Sequence, residues 1–183
     1  PRIGVDRIVF RLFEPEAVLT DNIFGYLWGK LAYASLLFAT ALTDDPIADV
    51  LVDRTLRPGL IALAREATAV ARAHGIRPEP FDGFDPEAFA PSASSRAAEA
   101  SLDDLVRFNR ASAKTHSGIW RDLAVRKRPT EVDAQLGPVV RFGEELGVPT
   151  PLTREIIRQI HQIEAGERGQ CWENLDELAD SLR

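Results

Sequence analysis

The feature that most constrains the fold is an apolar run of twenty residues, Ile23 to Leu42, which reads IFGYLWGKLAYASLLFATAL. Fifteen of these residues are apolar, and the single charged residue, Lys30, lies near the middle. Three interpretations are open. The run spans a membrane, or it forms a core helix that tolerates one cation, or the helix exists to present the lysine.

The membrane interpretation is the weakest of the three. Twenty residues are enough to cross a bilayer, but a lysine at the centre would cost roughly 2.5 to 3.5 kcal/mol on insertion scales. The flanking charges are Asp21 on one side and Asp44 and Asp45 on the other, so neither end carries the Lys/Arg excess that orients a span. The run therefore predicts a helix in the middle of a globular domain.

Composition limits the class of protein further. A chain of 183 residues with 45% apolar content is long enough for one domain with a sizeable core. A net charge of -6 argues against nucleic acid or anionic membrane as partners. The single cysteine, Cys171, fits a reducing cytoplasm, and the three histidines show no metal-ligand spacing. The absence of Met and the start at Pro1 suggest a piece of a longer protein.

Beyond residue 20 the periodicity predicts helices only, so the predicted fold class is all-α, built around the long apolar helix. Further helices are expected within residues 52–76, 94–114, 117–126, 129–147, 154–167 and 171–182. Asp21 and Thr153 are the expected N-caps of the first helix and of the helix after residue 153, and Pro138 should break its helix. Residues 76–91 predict an ordered loop held by phenylalanines, and RIVFRLF, within residues 1–20, predicts an edge strand or a short extended arm.

Lys30 is the first candidate for chemistry. On a helix it shares a face with apolar side chains, and burial there would lower its pKa towards the range of a general acid. The alternative is a lysine that covers apolar surface at the helix flank. Gly25 and Gly29, four residues apart, allow either close helix packing or room for a ligand.

Two polar runs supply the other candidates. In THSGIWRD, Ser117 precedes a predicted helix, where it either caps that helix or contributes to an anion site. In RPTEVD, Glu131 lies at another helix start, where the dipole stabilises a carboxylate that can also accept hydrogen bonds from a ribose. The basic residues 126–128 form either a solvated loop or a phosphate contact. No phosphate-binding glycine motif is present, so the chain has no cofactor site of its own.

Two blocks, LWGKLAYASLLFATAL and HSGIWRDLAVRKRPTEVDAQLGPVVRFGEELGVPTP, in this order, resemble the C-terminal domain of the ketopantoate reductases (2-dehydropantoate 2-reductases). The resemblance runs from about Leu19 to about Ile163. It implies a helical domain similar to the C-terminal domain of 6-phosphogluconate dehydrogenase. It also implies a cytoplasmic, NADPH-dependent reductase of 2-oxo acids in pantothenate biosynthesis, whose N-terminal Rossmann domain binds the cofactor. Residues 1–20 would then lead in from that missing domain, and residues 21–183 would form the substrate-binding and dimerisation domain.

The resemblance also implies roles for single residues. Lys30 matches the family's general acid, which protonates the oxygen left by hydride transfer. Glu131 matches the glutamate that contacts the cofactor and the substrate site. The family's substrate-binding serine falls at Gly118, which leaves Ser117 as the nearest hydroxyl.

This sequence departs from the family pattern in two ways. Ala34 and Phe38 stand where the family has asparagines, so the pocket should favour a bulkier, less polar substrate unless Ser35, Thr40 or Tyr33 compensates. One extra residue also lies between Asp122 and Glu131, which would shift the pocket rim.

Two hypotheses therefore remain. The first is the C-terminal domain of a reductase of 2-dehydropantoate or a related 2-oxo acid. On its own this domain should be inactive and should bind NADPH weakly or not at all. The second is a non-catalytic helical assembly module derived from that family. A homodimer fits either hypothesis, and the sequence does not decide it.

Overall fold

The computed structural model describes residues 10, 12, 14, 19–81 and 83–180. Within these residues the regular structure is helical, apart from an isolated bridge between Phe81 and Phe84. The α-helices are α1 (Ile23–Thr40), α2 (Ile47–Val52), α3 (Arg57–Ala73), α4 (Ser95–Ala111), α5 (Gly118–Trp120), α6 (Val132–Gln135), α7 (Gly137–Leu146), α8 (Pro151–Glu164) and α9 (Glu173–Asp180). A 3-10 turn covers Pro86–Phe89, and a π-helical segment, Arg121–Arg126, continues α5. The predicted all-α class is confirmed.

Helix α1 packs mainly on α3, and its burial changes along its length. In the last three turns Leu36, Phe38 and Ala39 have no exposed surface, whereas Ile23 and Phe24 in the first turn are more than half exposed. Among the described residues, no helix is both long and apolar enough to cross a membrane. The interpretation of a core helix therefore holds for the C-terminal half of α1.

The two glycines of α1 serve close packing. The segment after α3 runs against them, and Glu79 N donates a hydrogen bond to the Gly25 carbonyl at 2.9 Å. A Cβ at Gly29 would overlap the carbonyl oxygen of Glu79, and a Cβ at Gly25 would overlap that of Arg77. Of the two interpretations of the glycine pair, packing against another backbone is confirmed.

Two predicted N-caps are wrong. The cap of α1 is Asn22, not Asp21, because the Asn22 side chain accepts from Gly25 N while its amide group donates to Glu79 Oε1. Thr153 is not a cap either, because α8 already begins at Pro151. A proline suits the first turn of a helix, since its missing N–H needs no partner there.

The N-terminus of α8 is instead satisfied from a distant helix. Glu66, on α3, accepts from Leu152 N at 2.9 Å and from Thr153 N at 2.8 Å, and it also accepts from Thr153 Oγ1. Burial raises the pKa of this carboxyl, against the hydrogen bonds from Thr153 and Leu152, which lower it. A side chain 86 positions away thus holds two of the first N–H groups of α8.

The remaining predictions on the loops and helix ends are mostly confirmed. Gly75 and Gly147 end α3 and α7 with left-handed backbone, and Pro138 lies at the break between α6 and α7. In the loop 76–91, Phe84 and Phe89 are fully buried and stack at 4.9 Å between ring centroids. Helix α2 was not predicted.

Most of the predicted edge strand or extended arm lies outside the described residues. Where it is described, it is wrong: Phe10 and Leu12 are helical, and Glu14 N donates to Phe10 O in the i to i−4 pattern. Both side chains are largely exposed. A strand without a partner leaves its backbone groups unpaired, whereas a helix satisfies them locally.

Candidate functional site

Segments that are far apart in the sequence line an open cleft of about 550 Å³. They are the middle of α1, the loop after α3 at Phe81, the start of α5 with the loop before it, and the segment that leads into α6. The lining residues are Lys30, Tyr33, Ala34, Leu37, Phe81, Lys114, Ser117, Gly118, Ile119, Asp122, Thr130, Glu131 and Gln135. The structure therefore brings together in one cleft all three residues singled out by the sequence: Lys30, Ser117 and Glu131.

Lys30 projects from the α1 wall of the cleft. Its side chain is exposed, and its ammonium group lies 5.9 Å from the centroid of the Phe81 ring, within reach of a weak cation-π interaction. Of the two interpretations of Lys30, burial among apolar groups is wrong, because Ile23 and Leu27 on the same face of α1 are themselves about half exposed. Within the described chain, the ammonium group forms no ion pair, so it is accessible to a ligand in the cleft.

Ser117 is both a cap and a cleft residue. It is 7% exposed, and its Oγ accepts from Trp120 N at 3.1 Å, so the predicted capping role is confirmed. A serine hydroxyl has one proton to donate in addition to the lone pairs that accept. The capping bond uses a lone pair, which leaves that proton available to a ligand.

Glu131 lies on the opposite rim and is exposed. One carboxylate oxygen accepts from Gln135 Nε2 at 3.0 Å, a contact between residues four apart on a helix. The neighbouring Thr130 is fixed to α8, because its backbone N and its Oγ1 both donate to Glu164, at 2.7 and 2.8 Å. The rim that carries Glu131 is therefore held in place from behind the cleft.

The extra residue between Asp122 and Glu131 coincides with the π-helical segment Arg121–Arg126. A π-helical turn takes one more residue than an α-helical turn, so it is the usual way in which a helix accommodates an insertion. The segment ends at Lys127, which has left-handed backbone with a φ of 50°. Beyond it the chain brings Glu131 to the cleft, so the inserted residue does not remove that carboxylate from the cleft.

Two of the three basic residues 126–128 bind a carboxylate at the cleft wall. Arg126 and Arg128 both bind Asp122, at 2.7 and 3.0 Å, and these hydrogen bonds hold the pKa of Asp122 below its ordinary value. Asp122 therefore stays ionised and neutralised at the cleft wall, while Lys127 is exposed. The pairing with Asp122 accounts for both arginines without a phosphate.

Of the two positions at which the sequence departs from the family pattern, only one lines the cleft. Ala34 does so, whereas Phe38 is fully buried in the core. On a helix of 3.6 residues per turn, a residue eight positions after Lys30 is rotated by about 80° from it, but one seven positions after it by only about 20°. Leu37 therefore takes the position next to Ala34, and the expectation that Phe38 faces the pocket is wrong.

The predicted compensation for the missing amides is only partly available. Ser35 and Thr40 are buried, and their hydroxyls donate to carbonyl oxygens of α1 itself, at 2.7 and 2.9 Å. Tyr33 does line the cleft. The α1 wall therefore presents one lysine and one tyrosine on an otherwise apolar surface.

Sequence reasoning missed two polar residues of the cleft, Lys114 and Gln135. Lys114 comes three residues before Ser117, in a loop where no periodicity marks a face. Gln135 comes four residues after Glu131, and that spacing on a helix was the available signal.

The fold and the cleft together define a helical domain with an open pocket of mixed polar and apolar lining that carries an accessible lysine and a carboxylate. A family model described as the C-terminal part of ketopantoate reductase, PanE/ApbA, matches residues 22–164. The chain therefore belongs to the ketopantoate reductase family, in its C-terminal part.

Individual relatives agree with this assignment. A 2-dehydropantoate 2-reductase of Vibrio cholerae is 30% identical over 138 residues, which cover 75% of this chain and 40% of that protein. A 2-dehydropantoate 2-reductase of Pyrobaculum aerophilum is 28% identical over 148 residues, covering 80% and 46%. A PanE/ApbA family ketopantoate reductase from Ralstonia eutropha superposes with a TM-score of 0.60 at 25% identity, over 82% of this chain and 44% of that one. The chain thus spans less than half the length of these relatives.

Proposed function

We propose that this chain is the substrate-binding part of an NADPH-dependent reductase that converts 2-dehydropantoate or a related 2-oxo acid into the 2-hydroxy acid. The observation that carries the proposal is the convergence of Lys30, Ser117 and Glu131 on one cleft. About a hundred residues separate the lysine from the glutamate in the sequence. Each of the three residues is a prediction from the sequence alone, made without the structure.

Within this proposal Lys30 is the proton donor. A 2-oxo acid that accepts a hydride at its carbonyl carbon leaves a negative charge on the carbonyl oxygen, which must take up a proton. An ammonium group at the cleft wall both stabilises that charge and supplies the proton. The exposure of Lys30 to the cleft supports this role, because the ammonium group is accessible to a substrate carbonyl.

Ser117 and Glu131 then position the reactants. The free proton of the Ser117 hydroxyl suits a substrate carboxylate, which is an acceptor only. NADPH would supply the hydride. The described residues fit one edge of such a cofactor, because one Glu131 oxygen accepts from Gln135 and the other remains available to a ribose hydroxyl. With the chain spanning less than half of its relatives, most of a cofactor site would have to come from elsewhere in the protein.

The test is steady-state reduction of 2-oxo acids with NADPH by the full-length protein. Lys30→Ala should lower kcat by about a hundredfold to ten-thousandfold, the usual contribution of a general acid. The matched control is Lys127→Ala, another exposed lysine that lies outside this cleft. Equal kcat in the Lys30 variant and the control would remove Lys30 from the mechanism.

The alternative, a non-catalytic assembly module, makes the opposite prediction. It requires that the full-length protein show no turnover with any 2-oxo acid and either nicotinamide nucleotide. The isolated 183 residues should be inactive under both hypotheses, so turnover by this chain alone would contradict both. The homodimer and the cytoplasmic location stay predictions.

A further inference from the structure

The cleft adjoins a second compartment of about 360 Å³. The two compartments share Tyr33, Leu37, Lys114, Ser117 and Gly118. The shared residues form the boundary between the two compartments, and Lys114 is the one cation among them. This places one cation at the junction between the compartment of Lys30 and the space beyond it.

The far walls of the second compartment are apolar where they are exposed. Phe108 is 44% exposed, and Ile47 and Leu37 complete the apolar surface. A large aromatic side chain left open beside a pocket is a ready contact for an apolar ligand group.

Three polar side chains in the second compartment already have partners within the protein. Asn109 Nδ2 donates to Leu105 O at 2.9 Å, and Ser112 Oγ accepts from the backbone N of Lys114 at 3.1 Å. The His116 ring contacts Asp44 O at 3.1 Å through Nε2. These three side chains are held by the protein itself, and Phe108, Ile47 and Leu37 are the apolar contacts that the second compartment offers to a ligand.

The cations at the two compartments, unlike these three side chains, are not paired within the part of the chain that the structure describes. Lys114 forms no ion pair with any described residue, and neither does Arg121 in the second compartment. Of the carboxylates at the cleft, Asp122 is taken up by Arg126 and Arg128. The junction therefore presents a cation without a counterion, in a protein whose net charge is -6.

From this arrangement we propose that Lys114 pairs with the carboxylate of the 2-oxo acid, and that the substrate carries a bulky apolar or aromatic group that occupies the second compartment against Phe108. The proposal rests on the proposed function. It assigns Lys114 as the substrate-binding cation and Phe108 as a residue that determines specificity. The carbonyl then lies on the side of Lys30, since Lys114 stands between the two compartments.

Two substitutions in the full-length protein test the proposal, with NADPH and four 2-oxo acids: 2-oxoisovalerate, 2-oxoglutarate, phenylpyruvate and 2-oxo-4-phenylbutanoate. Lys114→Gln should raise KM for every acid by about tenfold to a hundredfold, as expected for a lost hydrogen bond to a charged group. It should leave kcat nearly unchanged, because binding in the ground and transition states weakens equally. Lys114→Arg should restore most of the affinity, and Lys127→Gln is the matched control.

Phe108→Ala should lower kcat/KM for the aromatic acids by on the order of tenfold, while kcat/KM for 2-oxoisovalerate stays the same. The short acid is the internal control for folding, because a variant that fails to fold would lose both.

Four outcomes would overturn the proposal while leaving the proposed function intact. They are a wild-type preference for the short acid, a preference for 2-oxoglutarate over the aromatic acids, an unchanged KM in Lys114→Gln, and an equal loss for short and aromatic acids in a folded Phe108→Ala protein. If the wild-type protein reduces none of the acids, the proposed function itself fails.

Discussion

Charged side chains in the core differ from the lysines at the cleft in whether they have partners. In the core, Arg57 is 1% exposed, yet its guanidinium donates to Leu51 O, Glu99 and Asp103. Glu66 is equally well satisfied by α8. At the cleft, Lys30 and Lys114 form no ion pair within the described chain.

The difference follows from what each environment costs. A buried charge without partners loses its hydration and is destabilising by several kcal/mol, so a core retains only charges that are fully hydrogen-bonded. An exposed lysine loses little by having no partner. The core charges therefore serve the fold, and the two cleft lysines keep their hydrogen-bonding capacity for a ligand.

Helix α1 has an exposed first turn and a buried C-terminal half. The largest expected change in stability comes from a substitution in the buried half. Phe38→Ala should destabilise the 183-residue chain by about 3 to 5 kcal/mol, because it opens a cavity in the core. Phe24→Ala, four turns earlier on the same helix, should change stability by less than about 0.5 kcal/mol, because Phe24 is 62% exposed. Urea unfolding followed by circular dichroism measures both, and equal losses would contradict the burial gradient.

A smaller effect is expected where α1 meets the segment after α3. Gly29→Ala should cost about 1 to 3 kcal/mol, because the new methyl group would overlap the Glu79 carbonyl oxygen. Gly137→Ala is the control, since nothing lies within 4 Å of a Cβ there, and it should be neutral or slightly stabilising. If the two variants unfold at the same urea concentration, the close backbone approach at Gly29 is not present in solution.

The smallest effect concerns pH and Glu66. Its pKa is raised in the folded chain by burial, so the native state binds more protons than the unfolded state between the ordinary glutamate pKa and the raised value. Stability should therefore fall across that window as pH rises, by about 1.4 kcal/mol for each unit of the shift.

The control for this effect is Glu66→Gln, which does not titrate. The variant loses an acceptor for α8 at every pH, so its stability is lower throughout. The informative quantity is the difference between the two unfolding curves as a function of pH. A difference that stays constant from pH 4 to pH 8 would contradict the raised pKa.

The candidate site shows which residues local sequence patterns can predict and which they miss. The sequence predicts Lys30, Ser117 and Glu131 because each lies in a short motif with its own helical context. It misses Lys114 because a loop residue has no periodicity to mark its direction. It also misses Glu66 as the partner of α8, although a glutamate between Leu63 and Val70 on a buried stripe was an available signal.

The sequence by itself determined most of the helices and the all-α class, because spacing, glycine ends and prolines act over a few residues and need no distant partner. Only the tertiary structure decided which face of α1 borders the cleft, that Glu66 rather than Thr153 completes α8, and that Lys30 is exposed rather than buried. Burial depends on which surfaces meet after the helices pack. That depends on contacts between residues far apart in the chain, which local spacing does not encode.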